Sequence, residues 1–502
     1  MKSIFKAVAT VTIFSIITRA LGFLFRIYLS RELQAEGLGL FQLASSILTI
    51  FLTIISSGLP LTTAKFVSKY EINNQYNRRN KVVSSALVIA IGLSLLSSLI
   101  IVILKNVWGF ILTDNRAVEI ILILIPSILF SAIYAIFRGG LWGQHDYFNC
   151  GLTELLEQVI RFAATFVLLV SVKDMFLKVK LSAWAFDITC LLSAIIVMVI
   201  YLKKCKLNFR KGEYKLLIKS ALPVTGVKVA SSLIHPITSL IIPSMLMISG
   251  LSSSEAISSF GVMMGMVFPM LFVPMAVIGS ISMVLIPSIS SMLAKNEIAK
   301  IKINISNSLN IAVFISMIFV PLYLSVGNLI GLVLFNNSMA GTLLQISSIC
   351  ILPISLCNLT SSILDALNLE VKAFKNYLIG SALLITLLIA LTPVIGINSI
   401  IISFFASMST ITLLNLKTIK NARFKLEFNL IKTCVKYSLI IVPCSVLGNL
   451  ISNIFLNFFN YFFSGLIGGS VSMIATVVLV FVFNLYNINN LKELLKHKRK
   501  TA

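Results

Sequence analysis

Long apolar runs alternate with short polar stretches along the whole chain, at intervals of about 35 residues, close to one membrane span plus a connection. An α-helix needs about 20 apolar residues to cross hydrocarbon, and that length places about fourteen candidate spans. They fall at 4–29, 39–64, 82–104, 118–142, 153–172, 181–202, 216–249, 257–293, 303–326, 341–367, 375–396, 398–416, 433–456 and 462–486. Spans seven and eight are long and broken, by Pro223, Pro236 and Pro243 and by Pro269, Pro274 and Pro287. Kinks or tilt are expected there. The pattern predicts an all-α polytopic membrane protein and leaves no segment for a soluble domain.

Internal repetition refines this layout. Pro60 in SGLPLTTA and Pro287 in VLIPSISS are 227 residues apart, as are Pro126 in LIPSIL and Pro353 in ILPISL. Such an offset maps span two onto span eight and span four onto span ten, and transporters are often built from two related bundles. It predicts two pseudo-symmetric six-helix lobes, at 1–210 and 211–425, with a final helix pair and basic tail at 426–502. The same shift sets Arg138 opposite Asp365.

Composition agrees with the pattern. The chain of 502 residues is 58% hydrophobic and 12% charged, with a mean hydropathy of +1.00. The net charge of +24 raises the question of nucleic acid. Sorting the 41 Lys and Arg by alternate loops puts 31 on one side, six on the other and four inside spans. That bias is the positive-inside rule, with both termini cytoplasmic, and it removes nucleic acid as the partner.

Catalytic chemistry has little material. The three histidines are scattered, the seven cysteines form no CxxC or metal-ligand spacing, and no phosphate-cradling GxxxxGK[ST] occurs. No enzyme activity, metal or cofactor is expected.

The charges inside spans carry the functional signal, because arginine at the bilayer centre costs at least about 2.5 to 3.5 kcal/mol and such residues usually face a bundle interior or a watery cavity. Arg19 and Arg26 in span one are seven residues apart, so both project from one helix face, with Gly22 between them. Span seven repeats the arrangement with Lys228 and His235. These four are the candidate substrate-binding groups. Arg26, near the outer interface, has snorkelling as its alternative, and His235, before Pro236, has a structural role as its alternative. Span five offers Glu157 and Arg161 as an i, i+4 pair, either holding the bundle or coupling an ion. Arg138 and Asp365 are either gate partners or interfacial charges. Asp187 is read as interfacial.

The stretch TRALGFLFRIYLSRELQAEGLGLFQL, with SSGLPLTTAKFVSKY, FRGGLWGQHDYF and LEQVIR, resembles the stage V sporulation protein B group of the multidrug/oligosaccharidyl-lipid/polysaccharide exporter superfamily. It is also similar to the lipid II flippases. The resemblance implies two six-helix lobes around a central cavity, alternating access, and transport of an undecaprenyl-diphosphate-linked peptidoglycan precursor for the spore cortex. Thr18, Arg19, Leu21, Gly22, Phe23 and Arg26 match the flippases' first-helix pattern SRxLGFxR with one extra residue before the second arginine. The flippases' basic residue in span eight has no counterpart at 257–293, and Lys228 in span seven stands in for it.

The residues and the resemblance together point to a flippase of the cell membrane, including the forespore membrane. Its substrate is a lipid-linked oligosaccharide, and cell-wall synthases are possible partners. The alternatives are a flippase for another polysaccharide precursor, a cation or drug antiporter, and a non-transporting scaffold for those synthases.

Overall fold

Lipid offers backbone amides no partners, so a spanning chain must satisfy them within itself, and α-helices do so. The computed structural model describes residues 2–210, 212–422 and 430–483, and among the described residues there are helices and no strands. Lys211, Arg423, Lys425, His497 and the basic tail lie outside the described residues. The chain divides into two compact units, Met1–Gly261 and Val262–Ala502.

The first unit holds α1 (Lys2–Ser56), α2 (Gly58–Ile72), α3 (Tyr76–Ile103), α4 (Lys105–Ile111), α5 (Arg116–Ile123) and α6 (Ile125–Gly143). It continues through α7 (Tyr147–Leu169), α8 (Met175–Leu202), α9 (Tyr214–Ser232), α10 (Ile234–Ile248) and α11 (Ser253–Gly261). Helix α1 is interrupted at Gln34, whose φ of 51° and ψ of −166° are non-helical.

The second unit opens with a π-helical turn, Val262–Val267. There follow α12 (Phe268–Leu271), α13 (Val273–Ala294), α14 (Ile298–Phe335), α15 (Ser338–Ser347) and α16 (Ile351–Ala366). Helices α17 (Glu370–Ile395), α18 (Asn398–Asn421), α19 (Leu430–Leu456) and α20 (Tyr461–Val482) complete it.

Twelve helical stretches among the described residues are long and apolar enough to cross a membrane. Two features separate that number from the expected fourteen. The first two expected spans run together in one 63-residue stretch, Thr10–Ile72. Expected span five is α7, where Glu154, Glu157 and Arg161 make the helix too polar to be counted.

Small residues set the packing of the first unit, as they do where helices cannot rely on a hydrophobic drive to associate. A Cβ on Gly139 of α6 would stand 2.7 Å from the carbonyl oxygen of Pro60 in α2, and one on Gly143 would stand 2.6 Å from that of Ala64. Gly139 and Gly143, one helical turn apart, therefore let α6 lie backbone to backbone on α2. Gly151 of α7 receives the ring of Phe14 from α1 in the same way.

In the second unit a neutral network joins three helices. Buried Asn376 donates to Asn415 at 2.9 Å and to Thr418 at 3.1 Å, and Asn415 donates to Thr360 and Ser361, both at 3.1 Å. Each amide hydrogen finds an oxygen, which is what polar groups in a membrane core require.

At the start of α7, Asp146 accepts the backbone N–H of Asn149 and pairs with Lys204 beyond the end of α8. Burial opposes its ionisation, but the Lys204 ammonium and the two N–H donors of Asn149 outweigh this and hold the carboxyl below its ordinary value. A carboxyl so held stabilises the fold above its unfolded value, about 3.9 for Asp. That contribution is lost as pH falls through the lower folded value.

Two outcomes follow from this packing. Gly139→Leu overpacks the α2–α6 contact and destabilises by about 1 to 3 kcal/mol, read as a lowered thermal midpoint of the purified protein; a midpoint equal to wild type contradicts the contact. The midpoint gap between wild type and Asp146→Asn is constant from neutral pH down to about pH 4 and closes in stronger acid. A gap that persists through acid titration shows that the Asp146 charge contributes nothing.

Candidate functional site

One face of α1 is anchored to α7 by aromatic packing. Phe25 and Tyr28 meet Phe162 with ring centroids 6.2 and 5.4 Å apart, and Tyr28 also meets Phe166 at 5.9 Å. Gly22 lies against this contact, its Cβ position 3.6 Å from the Gln158 side-chain oxygen. Arg19 and Arg26 sit roughly a quarter turn round the helix from Thr18 and Phe25. Both arginines have accessible side chains, while Thr18 is buried. The sequence thus spends its aromatic stripe on packing and leaves the cationic stripe open.

Lys228 and His235 belong to the same unit. Lys228 is on α9 and His235 on α10, both are accessible, and both helices pack against α1. The two helices meet at Leu233, itself in helical conformation, ahead of Pro236, whose ring removes a backbone donor. Hydroxyls cover nearby carbonyls: Ser231 donates to Lys228, Ser232 to Val229 and Thr238 to His235, at 2.9, 3.0 and 2.9 Å. His235 lies within electrostatic reach of Arg26. Among the described residues neither arginine nor Lys228 has an ion-pair partner.

The remaining intramembrane charges form a second group across α6, α7 and α8. Glu157 and Arg161 are ion-paired as their spacing suggests, with side chains 21% and 22% exposed. The Arg161 guanidinium also lies over the Phe186 ring, 5.4 Å from its centroid. Arg138 pairs with Glu154 of α7, a partner that sequence reading did not assign to it. The signal was there: Arg138 ends one helix and Glu154 begins the next, so adjacent helix ends bring them together. Asp365 is an exposed residue of α16 in the second unit.

Asp187, expected at the interface, is buried within the protein at 4% exposure, and α8 starts at Met175, six residues before the span limit drawn from hydropathy. Twelve residues of helix, about 18 Å, therefore separate Asp187 from that end.

Among the described residues, the first unit thus carries cations without ion-pair partners on membrane-spanning helices, and a paired polar group elsewhere in the same unit. Among solved structures, the lipid II flippase MurJ in its inward closed conformation is similar in fold. Its TM-score is 0.70 at 15% identity, over 94% of this chain and 99% of that one. An inward-facing multidrug resistance MATE family transporter of the MOP superfamily is similar with a TM-score of 0.65 at 12% identity, over 81% of this chain and 96% of that one. The chain therefore shares its fold with these two proteins.

The family described as polysaccharide biosynthesis protein matches residues 4–293, and the chain belongs to it. Among curated proteins it is similar to stage V sporulation protein B of Bacillus subtilis (strain 168). The two are 24% identical over 442 residues, 83% of this chain and 85% of that one.

The Glu157–Arg161 pair gives a direct test. Arg161→Met alone leaves Glu157 half-buried without its partner and costs about 1 to 3 kcal/mol, whereas Glu157→Gln combined with Arg161→Met recovers most of the loss. Thermal unfolding of the three proteins decides it, and additive losses in the double variant count against coupling.

Proposed function

We propose that the protein is a flippase that moves an undecaprenyl-diphosphate-linked peptidoglycan precursor, lipid II, across the cell membrane for spore cortex synthesis. The observation that carries this reading is the set Arg19, Arg26 and Lys228, cations in membrane-spanning helices without carboxylate partners among the described residues. His235 lies beside Arg26. A diphosphate supplies the missing anion through charge-assisted hydrogen bonds, and the planar guanidinium suits bidentate contact. Choice of lipid II and of sporulation follows the similarity to stage V sporulation protein B and to a lipid II flippase. Cell-wall synthases that consume the flipped precursor are the expected partners, with both termini of the transporter on the cytoplasmic side.

The bound headgroup is anionic, so a membrane potential negative inside favours its outward movement by about 2.3 kcal/mol per elementary charge per 100 mV. Glu157, Arg161, Arg138 and Asp365 are assigned to coupling and gating.

Arg19→Ala is expected to leave the protein in the membrane at its normal level and to abolish complementation of a flippase-deficient strain. Purified wild type is expected to bind lipid II and not an uncharged polyprenol. Retained complementation by the variant removes Arg19 from the site, and equal binding of polyprenol removes the diphosphate from the mechanism.

A further inference from the structure

Eight carboxylates of the first unit have a cation within ion-pair distance. Asp187 does not, although it is 96% buried, and neither of its carboxyl oxygens has a hydrogen-bond partner. A lone carboxylate in a low-dielectric interior is so costly that the group takes up a proton instead.

The surroundings of Asp187 offer no substitute cation. Helix α8 packs against α1, α5, α6 and α7. From α6 Ser127, itself fully buried, faces it with both its backbone N–H and its hydroxyl, neutral donors that are also directed to the Leu124 carbonyl, at 3.2 and 2.5 Å. From α7 come Arg161 and Glu157, bound to each other. From α5 and α1 come Glu119 and Glu32, paired with Lys180 and Lys178 near the start of α8.

Asp187 nevertheless stands at the end of a file of polar groups. Cys190, one turn along α8, accepts a hydrogen bond from Ser131 at 3.5 Å. It is within electrostatic reach of Asp187, Arg161 and Glu157. Tyr134, one turn further along α6, is within reach of Glu157 and Arg138, and Arg138 is bound to Glu154. Ionisable groups in such series inside membranes mark proton or ion pathways.

We propose that Asp187 is a proton-binding site. It holds a proton in the conformation described here and exchanges it along the file through Cys190, Glu157 and Tyr134 in step with transport. Release leaves the Asp187 carboxylate, and the proton passes to the Glu157 end of the file. Only the link to transport rests on the flippase reading; proton occupancy stands apart from it.

The test is infrared spectroscopy of the purified full-length protein at neutral pH, together with complementation. Wild type is expected to show a protonated-carboxyl C=O band that shifts in heavy water and is lost in Asp187→Asn, and that variant is expected to lose complementation. Asp187→Glu keeps a titratable carboxyl and should move the band instead of abolishing it, which covers poor recovery of the Asn variant. A spectrum unchanged by both substitutions overturns the proton site. Loss of the band on adding sodium at constant pH also overturns it, in favour of a metal-cation site. Loss of the band with complementation intact overturns the coupling. If wild type itself fails to complement, the flippase reading fails while the band still decides whether Asp187 carries a proton.

Discussion

Charge pairing in a poor dielectric is the constraint on which the first unit depends. A charge withdrawn from water costs several kcal/mol unless a partner or hydrogen bonds replace the solvent. The chain answers with ion pairs that cross between helices, such as Glu32–Lys178, Lys180–Glu119 and Arg138–Glu154. Against that background the groups without an ion pair stand out: among the described residues Arg19, Arg26 and Lys228 have no carboxylate partner, and buried Asp187 has no cation.

The second unit solves the same problem without charge. Asn376, Asn415, Thr360 and Thr418 satisfy one another as neutral donors and acceptors. Such a network carries no net field, so it holds helices together without attracting ions. The chain belongs to the polysaccharide biosynthesis protein family, matched over residues 4–293, and its fold is shared with a lipid II flippase and a multidrug transporter.

Much of this was legible in the sequence because membrane helices announce themselves by length and apolarity. The all-α polytopic class needed no more than the run pattern, and the i, i+4 spacing of Glu157 and Arg161 was enough to foresee their contact. Two things were not legible, for physical reasons. Hydropathy marks where apolar character begins and not where the helix begins, so the polar first turns of α8, with Lys178 and Lys180, hid how deep Asp187 lies. Partner choice depends on which helix ends meet in space, so the Arg138–Glu154 pair was signalled only by the adjacency of α6 and α7 in the chain and not by spacing along a single helix. The stretches SGLPLTTA and FRGGLWG also acquire a reason: they are the two sides of one close helix crossing at Pro60, Gly139 and Gly143.

That crossing limits how the molecule can move. Helices that touch through side chains can slide, since rotamers give way, but α2 and α6 meet through backbone, which has no such slack. Sliding one past the other would drive the Pro60 and Ala64 carbonyls into α6, so shear is closed to this pair. Among the described residues, the one helix of this unit with a non-helical residue inside it is α1, at Gln34, away from that crossing. The glycines thus fix the register of α2 against α6 through the main chain itself.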